Sequence, residues 1–248
     1  MPLRGRGKTG PTPASTVPEI LARLQSMGDA DDARFLQGYF RTGPGEYGEG
    51  DRFLGIRVPV LRTLARELRG TPVDTAAELL RSHWHEARLL ALLLLVDAYA
   101  RGDADTREGI YRLYLGSTRY INNWDLVDTS APHIVGAHLA DGDHEVLETL
   151  ARSDSLWERR IAMLATQHFI RRGEFGTALR VAEMLVDDGH DLIHKAVGWM
   201  LREVGNRDRA AEETFLRRHH RTMPRTMLRY AIEKFPPDLR QAYLRGEM

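Results

Sequence analysis

Arg88, Trp124, Arg160, Lys195 and Arg229 recur at intervals of 36, 36, 35 and 34 residues. The segments that begin His85-Glu86-Ala87-Arg88, Leu156-Trp157-Glu158-Arg159-Arg160, Ile193-His194-Lys195 and Met227-Leu228-Arg229 share a basic residue early and an apolar run after it. A period near 35 made of two helices is the signature of a helical solenoid. Stacked pairs form an inner and an outer layer, and the inner layer lines a concave groove. Residues that recur at this period are expected side by side along that groove.

The rest of the chain agrees with an all-α fold. Periodicity predicts helix from Val17 to about Arg41 with a break at Gly28, then from Pro59 to about Arg69. Further helices are expected at 74–82, 84–101, 104–117, 123–140, 143–152, 155–172, 174–187, 190–205, 208–220, 224–235 and 237–245. No segment alternates as a strand would. Residues 1–16, with three prolines and the cations Arg4, Arg6 and Lys8, read as a disordered basic arm. Residues 17–248 read as one domain. The glycine-rich loop Thr42–Asp51 lacks the Gly-Lys-Ser/Thr of a phosphate loop and follows no strand, so nucleotide binding is excluded.

Composition narrows the function classes. With no cysteine, disulfides and thiolate metal sites are impossible. The longest apolar run, Leu89–Val96, is half of the ~18 residues a membrane span needs. The net charge of zero argues against a strongly basic nucleic-acid face, although a neutral total can hide segregated charge. The cations are nearly all arginine, the better fork for phosphate; lysine stands only at Lys8, Lys195 and Lys234.

Chemistry concentrates around Asn122-Asn123-Trp124-Asp125-Leu126-Val127-Asp128. Either asparagine can cap a helix that starts at Trp124. Trp124 and Asp128 then lie one turn apart on one face. An aromatic plate beside a carboxylate suits a substrate that becomes cationic. Arg160 falls one repeat after Trp124, and Trp199 falls two repeats after Asp128. Two tryptophans, an aspartate and an arginine would converge on one surface. Packing explains the same residues equally well: a buried tryptophan, with Asp128 capping or salt-bridged. Trp84 and Trp157, at helix starts, read as packing residues.

His190 and His194 are four apart, which permits a two-histidine metal site, but the segment lacks the Glu of His-Glu-x-x-His. No metal and no cofactor is expected. His83, His85, His219 and His220 are expected to face solvent.

Asn123–Asp128, Trp157–Arg160, Lys195–Glu203 and the stretch Phe53-Leu54-Gly55-Ile56 to Pro59 resemble the alkylpurine DNA glycosylases of the AlkD type. The resemblance covers roughly residues 20–235, with the motifs in order. It implies HEAT-like repeats and cleavage of the glycosidic bond of N3- and N7-alkylated purines in double-stranded DNA. It implies that Trp124 and Trp199 pack against the sugar-phosphate of the lesion nucleotide, that Asp128 is catalytic, and that Arg160 meets the DNA backbone. Arg202 matches a further phosphate contact; Arg62, Arg88, Lys195 and Arg229 are expected to bind DNA beside it. The Gly43–Asp51 loop is longer than its family counterpart.

The family leaves the damaged base stacked in an open groove, so bulky adducts are expected to be tolerated. Lys195 is the one lysine near the proposed centre. Its repeat equivalents are arginines, so it reads as a backbone grip, and a monofunctional hydrolase is expected. The resemblance also implies a monomer in the bacterial cytoplasm, on the nucleoid. The rival reading is a non-catalytic HEAT-like scaffold that binds DNA or protein. It predicts scattered aromatics and no carboxylate at the groove centre.

Overall fold

The apolar run Leu89–Val96 lies in the middle of a helix, His85–Arg101, that is buried on nearly every side. A helix that is apolar all round belongs in a core rather than on a surface. Leu90, Leu92 and Leu95 are fully buried there, and each contributes about 1.5–3 kcal/mol through burial. The remaining helices pack around this one or continue away from it.

The computed structural model describes residues 16–248. The arm expected at residues 1–16 lies outside them except for Thr16, which belongs to the fold. Thr16 caps the first helix, and its backbone N–H donates to the Glu19 carboxylate at 2.8 Å.

In chain order the helices are α1 (Val17–Ser26), α2 (Ala30–Tyr39), α3 (Val58–Glu67), α4 (Val73–Leu79), α5 (His85–Arg101), α6 (Ala104–Leu115), α7 (Trp124–Ser130), α8 (Glu145–Ala151), α9 (Leu156–Ala165), α10 (Gln167–Arg171), α11 (Gly176–Met184), α12 (Asp191–Gly205), α13 (Arg209–His219), α14 (Arg225–Ala231) and α15 (Pro237–Arg245). Among the described residues there is no strand, only one isolated parallel bridge between Arg52 and Trp84. The chain is all-α.

Two expected helices are interrupted. The 123–140 segment stops as an α-helix at Ser130. Pro132 has no N–H to continue the ladder, and residues 132–136 form a wider π-turn in which Gly136 donates to the Ala131 carbonyl at 3.0 Å. The 155–172 segment breaks at Thr166, whose hydroxyl donates back to the Met163 carbonyl at 2.7 Å and competes with the helix's own bonding.

The five residues that set the period fall on five different helices: α5, α7, α9, α12 and α14. These helices neighbour one another in that order, α5 against α7, α7 against α9, α9 against α12, and α12 against α14. The approach of α12 to α14 depends on Gly198, where a Cβ would stand 2.4 Å from the Met227 carbonyl oxygen. A second layer packs behind, with α6 on α5, α8 on α9 and α13 on α12.

The loop before α3 is pinned to this row. The buried Glu86 carboxylate on α5 accepts from the backbone N–H groups of Leu54, Gly55 and Ile56 at 2.9, 2.8 and 3.2 Å. Gly55 adopts φ +87°, and a Cβ there would stand 2.0 Å from the Asp29 carbonyl oxygen. The Phe53-Leu54-Gly55-Ile56 stretch is therefore fixed by a carboxylate in the core and by the absence of a side chain.

Candidate active site

Trp124 is the first residue of α7, and the Asn123 side-chain oxygen accepts from its backbone N–H at 2.9 Å. One face of its ring is stacked on Phe40, with centroids 5.2 Å apart and planes at 19°. Tyr39 meets it edge-on at 6.1 Å. The plate is thus backed by aromatic rings from the end of α2.

One turn further along α7, Asp128 pairs with Arg160 of α9. Its two carboxylate oxygens accept from Nε and Nη2 of the guanidinium at 2.8 Å each. Nη1 of Arg160 donates to the Leu192 carbonyl at 2.6 Å. The Asp128 side chain is 16% exposed. Burial pushes its carboxyl above the usual carboxylate range, while Arg160 works against that shift. Because both oxygens accept from a permanent cation, the pair is drawn with the carboxylate ionised.

A cleft of about 650 Å³ opens beside this pair. Trp124, Arg160, Lys195 and Trp199 line it from three neighbouring helices, and Tyr47 and Tyr230 complete its walls. Asp128 is not itself among the lining residues; its carboxylate adjoins the cleft through its pair with Arg160, which lines it. Such a site offers aromatic faces, cations able to meet phosphate, and a partly desolvated carboxylate. It can favour a positive charge that develops next to it.

One expected DNA contact, Arg88, requires correction. Arg88 keeps the period but is only 4% exposed. It pairs with Asp51 and donates to the Ser82 carbonyl, so it is part of the core and cannot meet a phosphate. Arg160 reaches the cleft but is committed to Asp128, so its first role is to hold that carboxylate. Arg202 pairs with Glu233, and Lys195 pairs with Asp191 at 2.7 Å; each must exchange a carboxylate for a phosphate to bind DNA. Arg62 is exposed on α3 in a second, shallower cleft with Arg66 and Arg69, and Arg229 is exposed on α14.

His83 is exposed as expected, but the other three histidines expected in solvent are not. His85 and His220 are buried, and His219 is mostly so. His85 sits between two carboxylates, with Nδ1 2.8 Å from Asp51 and Nε2 2.8 Å from Asp125. Burial works to lower its pKa, but Asp125 and Asp51 outweigh it and carry it up to about 9. Asp51 moves the other way: burial would raise it, yet His85 and Arg88 bring it down to about 2. Asn123 also donates to Asp51, at 3.2 Å. This charged cluster ties the end of the 42–51 loop to the start of α7, where Trp124 stands. Asp51 and His85 are 34 residues apart and belong to no motif, which hid the cluster from the sequence. His190 and His194 make local bonds, to Leu192 N–H and the Asp188 carbonyl. Among the described residues, no three metal-ligating side chains gather.

Residues 20–235 match the family described as DNA alkylation repair enzyme. The chain belongs to that family. Membership supports a role in alkylation repair and makes DNA the partner. A solved structure described as a "predicted DNA alkylation repair enzyme from Enterococcus faecalis" shares the fold. It aligns with a TM-score of 0.65 at 15% identity, covering 85% of this chain and 98% of the other. No curated protein matches. The cleft is also lined by Tyr47, Arg41 and Tyr230, which the sequence did not single out. An aromatic residue standing alone in a glycine-rich loop was the available signal for Tyr47.

Proposed function

We propose that this protein is a monofunctional DNA glycosylase. It hydrolyses the N-glycosidic bond of cationic N3- or N7-alkylated purines in duplex DNA and leaves an abasic site. The observation that carries this reading is the Asp128–Arg160 pair beside a cleft lined by Trp124 and Trp199.

Alkylation puts positive charge on the purine, so the base departs with the bonding electron pair without needing a proton. The sugar becomes oxocarbenium-like, and water adds to C1′ with loss of a proton. Asp128 favours the sugar cation and orients the water. Trp124 and Trp199 present ring surface to the sugar, with cation–π contacts of ~0.5–2 kcal/mol each. Arg160 fixes the carboxylate and keeps it ionised. The neighbouring row α5, α7, α9, α12 and α14 supports a HEAT-like solenoid whose inner side holds the duplex. In this reading the damaged base stays stacked, bulky adducts are accepted, and the enzyme works as a monomer in the cytoplasm on the nucleoid.

The test is incubation with duplex carrying one 7-methylguanine. Free 7-methylguanine and an intact, alkali-labile strand are expected. Borohydride added during turnover should trap no protein–DNA adduct, because a nicking enzyme would work through an amine. Absence of base release would remove the activity. An adduct lost in Lys195→Ala would make Lys195 a nucleophile instead.

A further inference from the structure

The loop from Arg41 to Asp51 forms the wall of the cleft that faces α12. Arg41, Gly45, Glu46 and Tyr47 all line it. This segment is built rather than loose. Gly43 N–H donates to the Glu46 carboxylate at 3.0 Å, Gly45 N–H to Glu49 at 2.9 Å, and Gly48 N–H to the Arg41 carbonyl at 3.1 Å. Its far end is Asp51, held in the buried cluster with His85, Arg88 and Asn123.

Two side chains of the loop have no role in that scaffold. Tyr47 is half-buried, edge-on to Trp157 at 6.1 Å, with its hydroxyl 3.5 Å from the Tyr39 carbonyl. Arg41, Trp124 and Lys195 line the same cleft as Tyr47, and burial raises the Tyr47 phenol pKa. Arg41 is exposed and adopts φ +51°, a strained conformation for a residue with a side chain. Its guanidinium enters no ion pair among the described residues, whereas nearby Arg34 and Arg57 pair with Asp31 and Asp32. Backbone conformations of this kind cluster at ligand-contacting positions.

We propose that this loop is a substrate-contacting wall, with Tyr47 set against the deoxyribose of the damaged nucleotide and Arg41 against the adjoining phosphate. Tyr47 is then a specificity-determining residue that makes the cleft prefer a damaged site to intact duplex. Trp124, Trp199 and Tyr47 together enclose the sugar, and Arg41 and Lys195 flank it. The proposal rests on the glycosylase reading of the same cleft.

The test measures binding to a duplex carrying one tetrahydrofuran abasic site, which cannot be turned over, and to the same duplex undamaged. Tyr47→Ala should reduce the preference for the abasic duplex about tenfold, in keeping with the loss of one aromatic contact. Tyr47→Phe keeps the ring and should retain the preference. Arg41→Ala should weaken both duplexes equally and lower the log–log salt slope by about 0.9. A Tyr47→Ala protein with the wild-type preference, or a wild type with none, overturns the Tyr47 contact. An unchanged slope overturns the Arg41 contact. Base release from 7-methylguanine duplex is followed in parallel. Its absence in the wild type would remove the glycosylase reading while the binding ratios still decide the loop.

Discussion

Asp128 and Arg160 meet as a two-bond fork, Nε to Oδ1 and Nη2 to Oδ2, both at 2.8 Å. The fork joins α7 to α9 at the edge of the cleft and turns a partly desolvated carboxylate into a fixed negative charge. Asp128→Asn keeps the shape and removes the charge. Base release should fall by ~3–4 kcal/mol of barrier, roughly two to three powers of ten. Affinity for duplex should stay within about threefold, because backbone contacts carry most of the binding and a carboxylate makes none to phosphate. Single-turnover excision and a parallel binding titration check this; a near-normal rate would take the catalytic role away from Asp128.

The arginines should separate into two groups by burial. Arg62→Ala and Arg229→Ala remove exposed cations and should each lower the log–log salt slope of DNA binding by about 0.9, on damaged and intact duplex alike. Arg88→Ala should leave the slope alone. It takes one cation from the buried Asp51, which keeps His85 and Asn123, so the loss of stability should stay at or below the about 3–5 kcal/mol of a fully broken buried pair. Denaturant unfolding and salt titrations on the same three proteins distinguish the groups.

The His85 cluster makes stability depend on pH in a stated direction. His85 rises from 6.5 to about 9 on folding. Its contribution is complete below pH 6.5 and is lost as the pH climbs through about 9. Asp51, lowered from 3.8 to about 2, contributes above pH 3.8 and loses that contribution as the pH falls through about 2. His85→Gln should therefore be less stable than wild type near neutrality, with the gap narrowing at about pH 10. Melting temperatures across this range decide it, and a constant gap would mean that His85 is held neutral.

Glu212 carries a cost rather than a contribution. It is buried on α13, its Oε1 has no partner, and burial pushes its pKa up to about 8 although Arg209 works to lower it. Folding must hold a proton on this carboxyl that the unfolded chain gives up near 4.5, so stability falls as pH rises between those values. Glu212→Gln should stabilise the protein on the order of 1–3 kcal/mol at neutral pH and should gain little below about pH 4.5. Unfolding curves at two pH values test this; equal gains at both would assign the effect to packing.

The helical class, the helix order and the succession of neighbouring helices α5, α7, α9, α12 and α14 were legible in the sequence. The period near 35 put Trp124, Arg160 and Lys195 on neighbouring helices, and the four-residue spacing put Asp128 one turn from Trp124. These follow from backbone periodicity, which is a local property of the chain. Tertiary structure decided what covers each position. Arg88 obeys the same period as Arg160, yet it is sealed in the core because Asp51 arrives against it from 37 residues away. His85 was expected in solvent and lies between two carboxylates from distant segments. Tyr47 and Arg41 reach the cleft because Glu86 and the Asp51 cluster fold their loop onto α5 and α7. A period fixes which face of a helix a residue takes; only the packing of segments far apart in the chain fixes whether that face meets water, a carboxylate or a substrate.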